Sequence, residues 1–132
     1  MAIKKDIETR EDIRLFITAF YEKVKKDEHI GIIFTKVIPV DWVKHIPVIT
    51  DFWETILLDN PVYTKNAMDV HYSINREFPF KKIHFETWLK IFNNTIDEMH
   101  TGEKADLAKK RAASIAMLME HKMNEALQKG TL

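Results

Sequence analysis

Apolar residues recur at helical spacing along nearly the whole chain. Ile13, Phe16, Ile17, Phe20, Tyr21 and Val24 share one side of a first helix. Thr9, with Asp12 three residues on, is the capping box that starts it, and it ends near Lys26. DEHIGIIF (27–34) reads as a turn followed by a short helical piece containing Gly31. Trp42, His45, Ile49, Phe52, Trp53 and Ile56 then trace a second broad face, with Asp41 as its cap. Pro47 removes a backbone donor there, so this helix either begins irregularly near Val43 or kinks between His45 and Pro47. Asn60-Pro61 ends it. Residues 64–76 form a shorter helix with Ala67, His71 and Ile74 on one face, broken by REFPF (76–80) because a residue before proline is pushed out of helical geometry. Phe85, Trp88, Leu89, Phe92 and Ile96 mark an amphipathic helix over about 82–99, closed by His100-Thr101-Gly102. A last helix over about 103–128 turns Leu107, Ala108, Ala112, Ile115, Met119 and Met123 inward.

No segment alternates as a strand does, so the fold class is all-α: three long helices, one of medium length and some short pieces. At 132 residues the chain reads as a single domain over 1–132.

Composition narrows the chemistry more than it adds to it. Lys plus Arg and Asp plus Glu number 20 each, so no global charge draws the chain to nucleic acid or to a membrane surface. KVKKD (23–27) and KKR (109–111) read as solvated helix faces flanked by acids. There is no cysteine, which excludes disulfides, thiolate metal sites, thiol catalysis and covalent c-type haem attachment. No apolar run approaches the roughly 18 residues of a membrane span, and MAIKKDIETRED lacks a signal core, so a soluble cytoplasmic location is expected.

Motifs of familiar metal and phosphate chemistry are missing. No pair of histidines four apart brackets a glutamate, no Glu-x-x-His occurs, and no glycine-rich phosphate loop exists. What stands out is a set of polar groups embedded in aromatic helix faces: Tyr21, His45, His71 and Trp88, on four different helices. Leaving such a group buried and unpaired costs about 1–3 kcal/mol. Each alone has an ordinary reading as a satisfied core or boundary residue. Together they can also line one cavity whose occupant is flat, apolar and metal-bearing, as haem is.

The residues FYEKVKKDEHIGIIF, WVKHIPVITDFWETILL, the single histidine of MDVHYSI, FETWLKIFNNTIDEM and KKRAASIAMLM, in that order, resemble the truncated haemoglobins over about residues 11–120. Trp-x-x-His opening the second long helix, Phe-Trp within it and Phe-x-x-Trp-Leu in the next resemble the third group of that family. The resemblance implies a two-over-two helical sandwich around a non-covalent b-type haem. It implies His71 as the iron ligand, Tyr21 and Trp88 as distal hydrogen-bond donors, and His45 as the distal histidine. Phe20, Ile49, Phe52, Trp53, Phe85 and Phe92 match the apolar pocket wall. Pro47, two residues after His45, leaves open whether that imidazole points inward, outward or onto the iron.

Arg76, with Lys81 and Lys82 after it, is the candidate partner of the haem propionates. His29, His84, His100 and His121 read as solvated or boundary residues. The implied ligands are O2, NO, CO or cyanide, with tight O2 retention and redox chemistry such as nitric oxide detoxification, assisted by an external reductase. Peroxidase-like chemistry and ligand sensing are the alternatives within that frame. From another class comes a haem-free helical interaction module.

Overall fold

A computed structural model describes residues 4–31, 42–63 and 81–128, without the side chains of Trp42 and of 122–128. The elements are α1 (Arg10–Lys26), α2 (Trp42–Leu57), α3 (Lys82–Met99) and α4 (Glu103–Gln128). Asp41, the segment after Gly31, the expected helix at 64–76 with Ala67 and His71, and Arg76 lie outside the described residues.

α1 and α4 start where side chains meet orphan N–H groups. At α1, Thr9 Oγ1 accepts from Asp12 N–H (3.1 Å), while the Asp12 carboxylate accepts from Thr9 N–H (3.1 Å) and Glu8 N–H (3.0 Å). The Glu8 bond is the largest influence holding that carboxyl below its usual range. This is the capping box expected from the sequence. After α1, Asp27 Oδ1 accepts from His29 and Ile30 N–H, which makes the expected turn. Gly31 then passes so close to the end of α1 that a Cβ would lie 2.6 Å from the Lys25 carbonyl oxygen.

α1 packs against α2 and α3, α3 packs against α4, and α2 touches α4 more lightly. The result is two helix pairs laid across each other. Ile13, Phe16, Ile17, Phe20 and Val24 of α1 are buried at the crossing, against Phe92 and Ile96 of α3 and Ala108 and Ala112 of α4. The small residues of α4 let α3 approach closely. The bounds of α3 and α4 follow the periodicity of the sequence, and the only strand-like pairing among the described residues is a bridge of Lys5 to His100.

Pro47 falls inside the second helix, beyond its first turn. α2 runs unbroken from Trp42 through Pro47 to Leu57. The Val43 carbonyl, which Pro47 cannot serve, belongs to a residue 86% exposed, where water can take the bond. Asp59, with φ of 53°, turns the chain after the helix.

The N-terminal segment ties the second pair together. Asp6 accepts from Lys104 N–H and Ala105 N–H, both at 2.9 Å, and so caps α4 from nearly a hundred residues away. Gly102, at φ of 138°, leaves room for this contact, since a Cβ there would lie 2.5 Å from Asp6 Cγ. Burial alone would raise the Asp6 pKa, but the Lys104, Ala105 and Ile7 N–H groups outweigh it and hold the carboxyl below its usual value. A carboxyl with a depressed folded pKa stabilises the fold above its unfolded pKa, and the benefit is lost as pH falls. Asp6→Ala is therefore expected to cost about 1–2 kcal/mol at neutral pH, by urea unfolding, with the difference shrinking below about pH 4. A cost independent of pH would show that the carboxylate's charge is not what caps α4.

Two histidines differ from expectation. His84 and His100 are buried rather than solvated. His84 Nδ1 accepts from Lys81 N–H at 2.7 Å, taking the place of a Glu or Gln in a capping box at the start of α3. Burial, then the positive charges of Lys81 and His29, lower its pKa, which suits the neutral ring this acceptor role requires. The His100 ring lies edge-on to Phe16, with Nδ1 3.1 Å from the Lys5 carbonyl and Nε2 buried without a hydrogen-bond partner.

Candidate ligand cavity

The aromatic residues gather around Phe92. Its ring, 1% exposed, stacks on Trp53 (5.1 Å between centroids) and Trp88 (5.7 Å), and meets Phe16 and Phe20 edge-on. These are the offset and T-shaped arrangements that ring quadrupoles favour. Phe20 also sits edge-on to Tyr21 (4.8 Å) and Trp88 (5.7 Å), so the phenol and the indole flank one phenyl ring.

Beside this cluster lies a cavity of about 190 Å³. α1 contributes Ile17, Phe20 and Tyr21 to it, α2 contributes Ile49, Phe52 and Trp53, and α3 contributes Trp88 and Phe92. Ile115, Leu118 and Met119 of α4 and Tyr63 of the segment after α2 complete the described lining. The α2 residues reach it because positions 49, 52 and 53 are a helical turn apart. The wall is aromatic and aliphatic, and its residues with hydrogen-bonding groups are Tyr21, Trp53, Tyr63 and Trp88. Burial pushes the Tyr21 pKa well above the ordinary phenol value, so its hydroxyl stays protonated and able to donate.

Most of the residues anticipated from the sequence converge here. Phe20, Tyr21, Ile49, Phe52, Trp53, Trp88 and Phe92 all line the cavity. Phe85 is buried in the same core and is not among the described residues that line the cavity. His45 is half-buried; its ring lies 5.5 Å from that of Tyr21 at 72°, and it is not among the residues that line the cavity. His71 and Arg76 lie outside the described residues, and Lys81 and Lys82 are exposed. Among the described residues no cluster of His, Asp and Glu is arranged to hold a metal ion.

Tyr63 was not foreseen. It follows Asn60-Pro61, where no periodicity assigns it a face, and only the packing of the turn brings it in. Glu54 was also missed. It is a carboxylate 4% exposed on α2, accepting from Arg10 of α1 at 3.1 Å and from Asn60 at 2.5 Å, while Arg10 also pairs with Asp51 at 2.7 Å. The Asp51 and Glu54 carboxylates, in that order, raise the Arg10 pKa.

Two crossed helix pairs enclosing an aromatic cavity define a globin-type sandwich of the truncated kind. No family model matches the chain. It is 32% identical over 110 residues to a protein of Campylobacter jejuni subsp. jejuni described as group 3 truncated hemoglobin ctb, covering 81% of this chain and 84% of that one. The fold matches the crystal structure of group III truncated hemoglobin from Campylobacter jejuni with a TM-score of 0.77 and 29% identity, over 92% of this chain and 95% of that one. The chain belongs to the group III truncated haemoglobins. No described helix is long and apolar enough to cross a membrane.

Proposed function

We propose that the cavity would hold a non-covalent b-type haem whose iron His71 would bind, and that the protein retains O2 tightly for redox chemistry rather than for transport. The observation that carries this reading is the pairing of a buried, protonated phenol with an indole on one apolar wall. Flat rings at Phe52, Trp53 and Phe92 suit a planar apolar group, and the absence of cysteine leaves only non-covalent retention. At about 190 Å³ the cavity is smaller than the about 300–1,000 Å³ usual for small-molecule sites, so loading a macrocycle requires its walls to move.

Haem would supply an iron that takes diatomic ligands and changes oxidation state. The chain's own groups set what happens next. Tyr21 Oη and Trp88 Nε1 donate hydrogen bonds to a partly negative ligand, and the surrounding rings keep water out so that each bond counts for more. His45, against the Tyr21 ring, is placed to orient the phenol or to relay a proton at its imidazole. The reaction class we favour is oxidation of nitric oxide by O2 to nitrate, in which one electron per turnover comes from a separate reductase.

Two measurements test this. Purified protein supplied with hemin is expected to show a strong Soret band that shifts with O2, CO and cyanide, and His71→Ala is expected to lose the normal ferrous spectrum. Mixing the oxygenated protein with nitric oxide should give stoichiometric nitrate and ferric haem. A colourless wild type would favour a haem-free helical module, and a coloured one that forms no nitrate would remove the dioxygenase assignment.

A further inference from the structure

Among the described lining of the cavity, Tyr63 is half-buried and Leu118 is 52% exposed. The chain reaches Tyr63 through a clamped turn. Glu54 holds Asn60 through its second carboxylate oxygen, just after the left-handed residue Asp59. Val62 N–H donates to the Asn60 carbonyl at 2.8 Å, and Tyr63 N–H donates to Thr55 Oγ1 at 3.0 Å. Thr55 Oγ1 in turn donates to the Asp51 carbonyl at 2.9 Å, which fixes the hydroxyl's direction. The Tyr63 ring then packs edge-on to Phe52, 5.3 Å away.

We infer that Tyr63 is a haem-retaining residue, a ring that closes the outer edge of the cavity, and that Thr55 is the positioning residue that sets it there. The inference rests on the haem reading above. A backbone anchor on Thr55 fixes where the Tyr63 Cα stands, and the Phe52 contact fixes which way the ring faces. The ring thus continues the wall of Phe52 and Trp53 outward. Tyr63 lines the cavity and is also half-buried, so its ring stands between the cavity and solvent. Retention then depends on how well this ring covers the group behind it.

The test follows hemin loss from the loaded full-length protein to excess apomyoglobin by the decay of its Soret band. Tyr63→Ala is expected to speed loss about three- to tenfold, in line with the worth of one edge-to-face aromatic contact. Tyr63→Phe, which keeps the ring, should stay within about twofold of wild type. Thr55→Val should speed loss on its own but add nothing in the Tyr63→Ala background, because it acts through that ring. Far-UV circular dichroism and urea unfolding of the apoproteins separate these effects from misfolding. A wild type that takes up no hemin overturns the haem reading and this inference with it. A wild type that loads normally while Tyr63→Ala loses hemin at the same rate overturns this inference alone. A Thr55→Val effect that persists in full without Tyr63 overturns the positioning role.

Discussion

Tyr21→Phe in the haem-loaded protein is expected to speed O2 dissociation between about tenfold and about a hundredfold, leaving haem content unchanged. The range follows from about 1.5–3 kcal/mol for a hydrogen bond to a charged group, at 1.36 kcal/mol per factor of ten. Phenylalanine suits the test because Tyr21 has two roles that it separates. Its ring packs edge-on to Phe20 and His45, and phenylalanine keeps both contacts. Only the hydroxyl is lost. The sign of the pH dependence follows as well. Burial raises the phenol's pKa above the ordinary value near 10, so the donor persists throughout the neutral and mildly alkaline range. The Tyr21 contribution to the off-rate, taken as the ratio of variant to wild type, should therefore be flat from about pH 6 to about pH 9. Stopped-flow replacement of O2 by CO reads both quantities. An off-rate unchanged in Tyr21→Phe would mean that the phenol does not donate to the ligand, and tight retention would need another source.

The reach of the sequence is clearest where a feature depends on near neighbours. The Thr9 and Asp12 capping box, the bounds of α3 and the inward face of α4 as far as Met119 are all local consequences of spacing and stand as expected, while the Met123 side chain lies outside the described residues. Which residues share a helix face was legible for the same reason, since residues a turn apart must do so, while the grouping of those faces into one wall came from the family resemblance. What escaped depends on partners far away in the chain. Glu54 reads as an acid at the margin of an apolar stripe, and only the fold brings Arg10, 44 residues earlier, to its carboxylate. His100 lies buried because Lys5, 95 residues away, offers its carbonyl. Tyr63 depends on Thr55 and on a left-handed residue at Asp59, a conformation that aspartate tolerates but does not dictate. His84 was legible in principle, because it occupies the third position of a helix where an acceptor is wanted. Pro47 shows the opposite limit. A proline argues for disruption on local grounds, yet near a solvated helix start the lost bond falls on a carbonyl that water can reach.

Phe92→Ala is expected to cost about 3–5 kcal/mol in unfolding free energy, the largest effect of any single substitution considered for this chain. Domains of this size have about 5–15 kcal/mol in total, so the variant should stand near the edge of stability. The reason is position. Phe92 is the ring on which Trp53 and Trp88 stack and against which Phe16 and Phe20 set their edges, so truncation removes support from α1, α2 and α3 together. The gap left at such a junction cannot close by one neighbour moving, because each surrounding ring is held by another. Phe92 also lines the cavity, whereas Phe85, buried on the same helix, does not. The pair therefore separates two kinds of consequence. Phe85→Ala should lower stability with little change in ligand off-rates, while Phe92→Ala should lower stability and also alter hemin uptake and O2 release, because Trp53 and Trp88 lose their shared platform. Urea unfolding of the apoproteins and stopped-flow kinetics of the loaded ones read the two consequences separately. A Phe92→Ala variant that loses less than about 1 kcal/mol, or that binds ligands as the wild type does, would show that the rings around Phe92 hold one another without it.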